Sequence, residues 1–175
     1  MDFSDVWERA KRGRDVLFTR DSPALLLLAR LIAEHDRRTA VLWALEAVKE
    51  PVSALSRYFP GDARFEEAQE ASLAWAEGRV KMGFARRAIL AAHAAAKETE
   101  NRAAAAYCHA VGQGCSAVHV KEHALGLAMY ELTAIVRERG VGCGEALEEK
   151  LAAYLALFEE AVRRAEEPRP WAAFL

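Results

Sequence analysis

Apolar residues recur at intervals of three and four along almost the whole chain, the spacing of one face of a helix. Phe3, Val6, Trp7 and Ala10 form a first stripe, with Ser4 placed to cap it; this helix is expected to reach about Phe18. Ser22-Pro23 reads as a helix start, a capping residue followed by proline at the first helical position. The stretch Ala24–Ile32 that follows is apolar almost all round, which predicts a central, buried helix. Asp36 caps a third helix. Pro51 interrupts it, removing a backbone donor and crowding the carbonyl of Ala47. The stripe Val41, Leu45, Val48, Val52, Leu55, Phe59 nevertheless keeps its phase through the proline, so the pattern predicts two nearly collinear pieces joined at a kink.

Pro60-Gly61-Asp62 is a turn, and Asp62 caps a helix carrying Phe65, Ala68, Ser72 and Trp75 that stops at Gly78. Further helices are expected over 83–98, from about Asn101, over 122–139 with a stop at Gly140, and over 145–165. The last has the cleanest stripe, Leu147, Leu151, Tyr154, Leu155, Phe158, Val162, with Glu159–Arg163 and Glu160–Arg164 as candidate outer-face pairs four residues apart. Short connections make consecutive helices antiparallel neighbours. The expected fold is all-α: seven or eight helices in one array of antiparallel hairpins, a single domain over 1–167 with a tail at 168–175 whose Trp171 and Phe174 fold back or stay flexible.

Composition sharpens this picture in one respect. Alanine makes up about a fifth of the 175 residues and is concentrated between positions 85 and 110. Segments such as 91–96 and 103–106 are helical at little entropic cost, but they bury little area each. Their advantage is close approach of helix axes, so the fifth and sixth helices are expected to form the packed centre. Leucine at Ala92 or Ala105 should then overpack it by ~1–3 kcal/mol.

Charge and cysteine content mainly remove possibilities. A net charge of −2 with both signs interspersed gives no footprint for nucleic acid. The longest apolar stretch, around Ala24–Ile32, is too short to cross a bilayer, and the polar start of the chain is not a signal peptide. Cys108, Cys115 and Cys143 are odd in number and lack CxxC spacing, as expected of reduced thiols in a cytoplasmic protein.

Candidate chemistry gathers in the middle. His119 and His123 are four apart, and Cys115 is four before His119; on one continuous helix they share a face, an arrangement suited to zinc. The residues between the histidines are Val120, Lys121 and Glu122, so the HExxH pattern of zinc enzymes is missing, and Gly112 and Gly114 argue against one straight helix. Hydrogen-bonded, partly buried histidines are the favoured reading, with no metal and no cofactor. His93 shares a stripe with Arg86, Leu90 and Lys97, at the border of an apolar and a basic face. The four tryptophans lie on or beside apolar stripes, which makes core packing their default role; an exposed Trp171 would instead suit a partner. No GxSxG, P-loop or GxGxxG pattern is present in a fitting context.

Over residues 36–130 the chain carries Leu42-Trp43-Ala44, Leu73-Ala74-Trp75-Ala76-Glu77-Gly78, Ala85-Arg86-Arg87-Ala88, the alanine-flanked His93, and Ala117-Val118-His119-Val120-Lys121-Glu122-His123-Ala124. In this order they resemble the Imm-5-like family of bacterial immunity proteins. The resemblance implies an all-helical, non-enzymatic protein that neutralises a cognate toxin by binding it. Family members often have proline between the paired histidines; Lys121 lies there in this chain, which leaves open whether the helix breaks between His119 and His123. Trp75, Arg86, His93, His119 and His123 are accordingly the candidate partner-binding residues. The alternative is a metal- or small-molecule-binding helical domain built on His93, His119 and His123, with Cys115 as a further metal ligand; a homo-oligomeric scaffold is a third. The sequence leaves the oligomeric state open.

Overall fold

The computed structural model describes residues 1–175 and is all-helical. Its α-helices are α1 (Ser4–Lys11), α2 (Leu26–Glu34), α3 (Arg37–Ala47), α4 (Lys49–Leu55), α5 (Arg64–Ala76), α6 (Met82–Ala94), α7 (Arg102–Ser116), α8 (His123–Arg139) and α9 (Gly144–Ala165), with single 3₁₀ turns at Pro23–Leu25 and Ala95–Lys97. Only Val48 separates α3 from α4, and helical hydrogen bonds cross it, from Val48 N to Ala44 O and from Val52 N to Val48 O. The break expected at Pro51 falls three residues earlier, at Val48, and the stripe from Val41 to Leu55 stays buried throughout. Counting the two pieces as one gives eight helices.

Capping explains several boundaries. Asp36 accepts from Thr39 N at 2.8 Å, and Asn101 Oδ1 accepts from Ala103 N and Ala104 N. At the end of α5 the N–H of Gly78 bonds to Trp75 O and that of Arg79 to Ala74 O, a paired closure that needs the positive φ of +74° at Gly78.

The first two helices depart from the sequence pattern. The same closure ends α1: Gly13 N bonds to Ala10 O and Arg14 N to Arg9 O, with φ of +69° at Gly13. The helix therefore stops at Lys11 rather than near Phe18. Leu17 and Phe18 enter the core on non-helical backbone, where Leu17 N donates to Thr133 Oγ1. Ser4 is not the cap; its own N–H donates to Asp2 Oδ1. Nor is α2 central. It touches α8 and α9 through Leu28 and Ile32, whereas Leu26 and Leu27 are exposed.

The packed centre is α7 with α8, flanked by α4, α5 and α6, rather than α6 with α7. On α6 only Ala85, Ile89 and Ala92 are buried, and Phe84, Arg86, Arg87 and Leu90 face outwards. Ala92 is fully buried; Ala105 is only half-buried and has room that Ala92 lacks. Close approach falls instead to glycines of α7: a Cβ on Gly114 would lie 2.4 Å from Leu127 Cδ1 and 3.1 Å from Val48 Cγ2. Gly112 and Gly114 do not break α7. They let α4, α6 and α8 close on it.

α9 seals the other side of α3. Trp43, fully buried, donates its indole N–H to Tyr154 O and packs on Tyr154 and Phe158. Below it, Glu131 of α8 meets Lys150 Nζ of α9 at 2.6 Å. Burial pushes the Glu131 carboxyl up to about 7, outweighing the lowering by Lys150 and by the Tyr154 hydroxyl. The outer-face pairs expected on α9 do not form: Arg163 bonds to Glu160, three residues away, and Arg164 reaches Glu46 on α3 at 3.4 Å. At the chain end, Ala172 N donates to Ala76 O, Arg38 Nε donates to Leu175 O, and Phe174 lies against Trp75.

Candidate functional site

α7 ends at Ser116, and a turn over Ala117–Glu122 separates it from α8. His119 is on that turn and His123 is the first residue of α8, so the two histidines do not share one helix face. Arg37 of α3 holds the turn by donating to the carbonyls of Val118 and His119, and Lys121 donates to those of Ala33 and His35. Lys121 thus anchors the turn.

The turn closes one end of a pocket of about 430 Å³. Trp75, at the last turn of α5, forms one wall. Along α6, Met82, Arg86, Ile89, Leu90 and His93 form the opposite side, and Ser116, His119 and His123 complete it. All five candidate residues, Trp75, Arg86, His93, His119 and His123, line this one pocket. The α6 positions meet there because 82, 86, 89, 90 and 93 repeat at helical spacing.

Trp75 fixes the aromatic wall. Its ring stacks on His119, with centroids 6.0 Å apart and planes 24° apart, and packs on Phe174 from the tail at 5.5 Å. His93 Nδ1 lies 3.1 Å from His109 Nδ1, so one ring must donate and the other accept. The His109 ring in turn packs on Tyr130. His123 Nδ1 lies 2.7 Å from Gln113 Oε1. Two glycines make space for these bonds: a Cβ on Gly112 would fall 2.3 Å from the His93 ring, and one on Gly126 would fall 2.4 Å from Gln113 Oε1.

Burial and like charge act together on the imidazoles. Burial, then the neighbouring His109 and His123, hold His93 down at about 4. Burial also lowers His109. His123 is lowered by burial first and then by His119 and Arg20, with Glu122 acting weakly the other way. Arg86 supplies the one guanidinium of the pocket.

Cys115 does not join the cluster. It is fully buried, its thiol meets Ser72, and burial pushes it up to about 12. The Cys115/His119/His123 set of the alternative metal reading required one continuous helix; the end of α7 at Ser116 sends Cys115 into the core and His119 to the surface. No group of three His, Cys, Asp or Glu residues is placed to hold a metal ion. Ser116 Oγ donates to Gly112 O at 2.7 Å, so the one hydroxyl of the lining is committed to the helix. In a larger cleft lined in part by Glu50, Arg57, Tyr107, Glu138 and Lys150, Glu138 accepts from Arg57 and Tyr107, and Glu50 accepts from Lys150.

Sequence reasoning missed His109 and Gln113, which orient the imidazoles. No spacing in the sequence marks them, because their roles depend on which side of α7 meets α6 and α8.

The fold and site describe a helical scaffold with one donor-rich, partly aromatic pocket at the junction of α5, α6, α7 and α8. The sequence comparison agrees with this class: the chain belongs to the family described as Imm-5 like putative immunity protein, whose model matches residues 30–159. No curated protein and no solved structure matches the chain. No helix is long and apolar enough to cross a membrane.

Proposed function

We propose that this chain is a non-enzymatic binding protein that neutralises a cognate bacterial toxin by direct contact, through the surface centred on the α5–α8 pocket. One observation carries the reading: Trp75, Arg86, His93, His119 and His123 converge on a single pocket, rimmed by Met82 and Leu90 at 49% and 52% exposure. Exposed apolar side chains around a rigid aromatic wall and an unpaired arginine are the material of interface hot spots. The lining holds no carboxylate, and its one hydroxyl is bonded to its own helix. Three unpaired cysteines, two of them buried, fit a reducing, cytoplasmic setting. A protein partner is favoured over nucleic acid by the balanced charge.

The test is co-expression with the toxin domain encoded next to the gene. The wild-type chain is expected to restore growth and to bind the purified toxin. Leu90→Asp and Arg86→Ala, both at exposed positions, are expected to weaken the complex by about tenfold or more each. Absence of both protection and binding overturns the immunity role. Full binding by both variants places the contact surface away from the pocket.

A further inference from the structure

We propose that the α5–α8 pocket is an anion site whose ligand is an organic carboxylate carried on an apolar or aromatic body. This rests on the reading above only in taking the pocket as the contact centre, and it states what chemistry enters there.

The first argument is charge. The lining holds one guanidinium and three imidazoles and not one carboxylate. Several surface arginines are paired, among them Arg64 with Asp62 and Glu98, Arg57 with Glu138, and Arg102 with Asp15. Arg86 makes no ion pair or hydrogen bond within the chain, so its planar donor fork is free for a carboxylate, the group it fits in bidentate fashion.

The second argument is the donor inventory. Gln113 Oε1 is an acceptor, so His123 Nδ1 carries the proton between them, and Nε2 of the neutral ring presents a lone pair with no protein partner. His93 and His109 share one proton between their Nδ1 atoms, which keeps His93 oriented while leaving its Nε2 unpartnered. An anion beside these rings converts His123 Nε2 from acceptor to donor by adding a proton. The bond formed is N–H at Nε2, and the proton comes from solvent.

The third argument is the walls. Trp75, Ile89, Leu90 and Met82 make much of the lining apolar. A strongly hydrated phosphate loses more water there than it regains in hydrogen bonds, whereas a single carboxylate on an apolar body matches both halves of the site.

Proton linkage sets a signature. The groups facing His93 are Arg86 on its own helix, His109 on α7 and His123 on α8; those near His123 are His119, Glu122 and Arg20. All but Glu122 disfavour a positive imidazole in the empty pocket. A bound carboxylate raises the imidazole pKa, so the complex holds more protons than the free protein between the two values. Affinity therefore rises as pH falls through that interval.

The experiment is calorimetric titration of the full chain with benzoate, and with benzamide as the neutral isostere, at pH 7.5 and 6.0 in buffers of different ionisation enthalpy. Benzoate is expected to bind at least about tenfold more tightly than benzamide, to tighten by about threefold or more at pH 6.0, and to take up a proton on binding. Arg86→Gln, at an exposed position, should abolish the preference for benzoate, and Arg57→Gln in the larger cleft should not. Equal binding of the two probes, no binding of either, or an unchanged preference in Arg86→Gln overturns the proposal. Competition between benzoate and the toxin assigns the carboxylate to an acidic side chain of the partner; benzoate binding without competition assigns it to a free acid. Toxin neutralised by a chain that ignores benzoate sinks the carboxylate site alone. Benzoate bound as described by a chain that neutralises no toxin sinks the immunity reading alone.

Discussion

Gly114 and Gly83 sit on helices, yet the same substitution should act on them with opposite sign. Replacing a mid-helix glycine by alanine stabilises by about 0.5–1 kcal/mol, because the unfolded chain loses freedom and the helix gains propensity. At Gly83, in the first turn of α6, a new Cβ meets nothing within 4 Å. The gain is expected in full or somewhat reduced by position. At Gly114 the new Cβ would lie 2.4 Å from Leu127 Cδ1 and 3.1–3.2 Å from two atoms of Val48. Leu127 and Val48 are both fully buried, so neither methyl can swing into solvent. Overpacking of this kind costs ~1–3 kcal/mol and can exceed that when no rotamer is free. Subtracting the propensity gain leaves Gly114→Ala destabilised by up to about 2.5 kcal/mol. Urea unfolding followed by circular dichroism measures both. With a slope near 2 kcal/mol/M, the midpoint should rise by roughly 0.3–0.5 M for Gly83→Ala and fall by up to roughly 1.2 M for Gly114→Ala. A Gly114→Ala protein as stable as Gly83→Ala would refute the close approach of α4 and α8 to α7, and with it the argument that glycine rather than alanine sets this core.

Two further predictions address other parts of the fold. Glu131 holds its proton up to about 7 when folded and to near 4.5 when unfolded, so the folded state binds more protons between those values and loses stability as pH rises through them. Glu131→Gln should therefore gain on the wild type from pH 4.5 to 7.5, by up to about 3 kcal/mol; parallel urea midpoints at both ends would contradict it. Removing Ala172–Leu175, which keeps Trp171, uncovers one side of Trp75 and frees Ala76 O; tryptophan emission should shift to the red and the melting temperature should fall by a few degrees, about 2–4 °C for each kcal/mol lost. Unchanged emission would mean that the tail does not cover Trp75.

Much of the candidate site was legible before folding, for a local reason. Arg86 and His93 are seven apart on one helix, so their common face follows from the repeat alone. Trp75 is three residues before the glycine that stops its helix, and so sits at a helix end where a pocket wall can form. His109 and Gln113 were not legible as site residues: their roles depend on which side of α7 meets α6 and α8, a matter of packing rather than period. The grouping of Cys115 with His119 and His123 failed because it required continuous helix across Ala117–Val120. Arg37, more than eighty residues away, holds that segment as a turn through its carbonyls.

By itself the sequence determined the local order of this protein: helices, an interruption near Pro51, the stops at Gly78 and Gly140, the cap at Asp36 and a helix start near Asn101. These follow from short-range terms, namely backbone freedom, side-chain spacing and capping bonds within a few residues. Which helices lie at the centre was decided only by tertiary structure. Alanine marked both α6 and α7 as able to pack closely, but a small residue permits close approach without demanding it. The contest was settled by the bulky neighbours: Leu127 and Val48 fill the space above Gly114, and the ring of His93 fills the space at Gly112. That left α6 on the edge, with Arg86, Leu90 and His93 turned into the pocket.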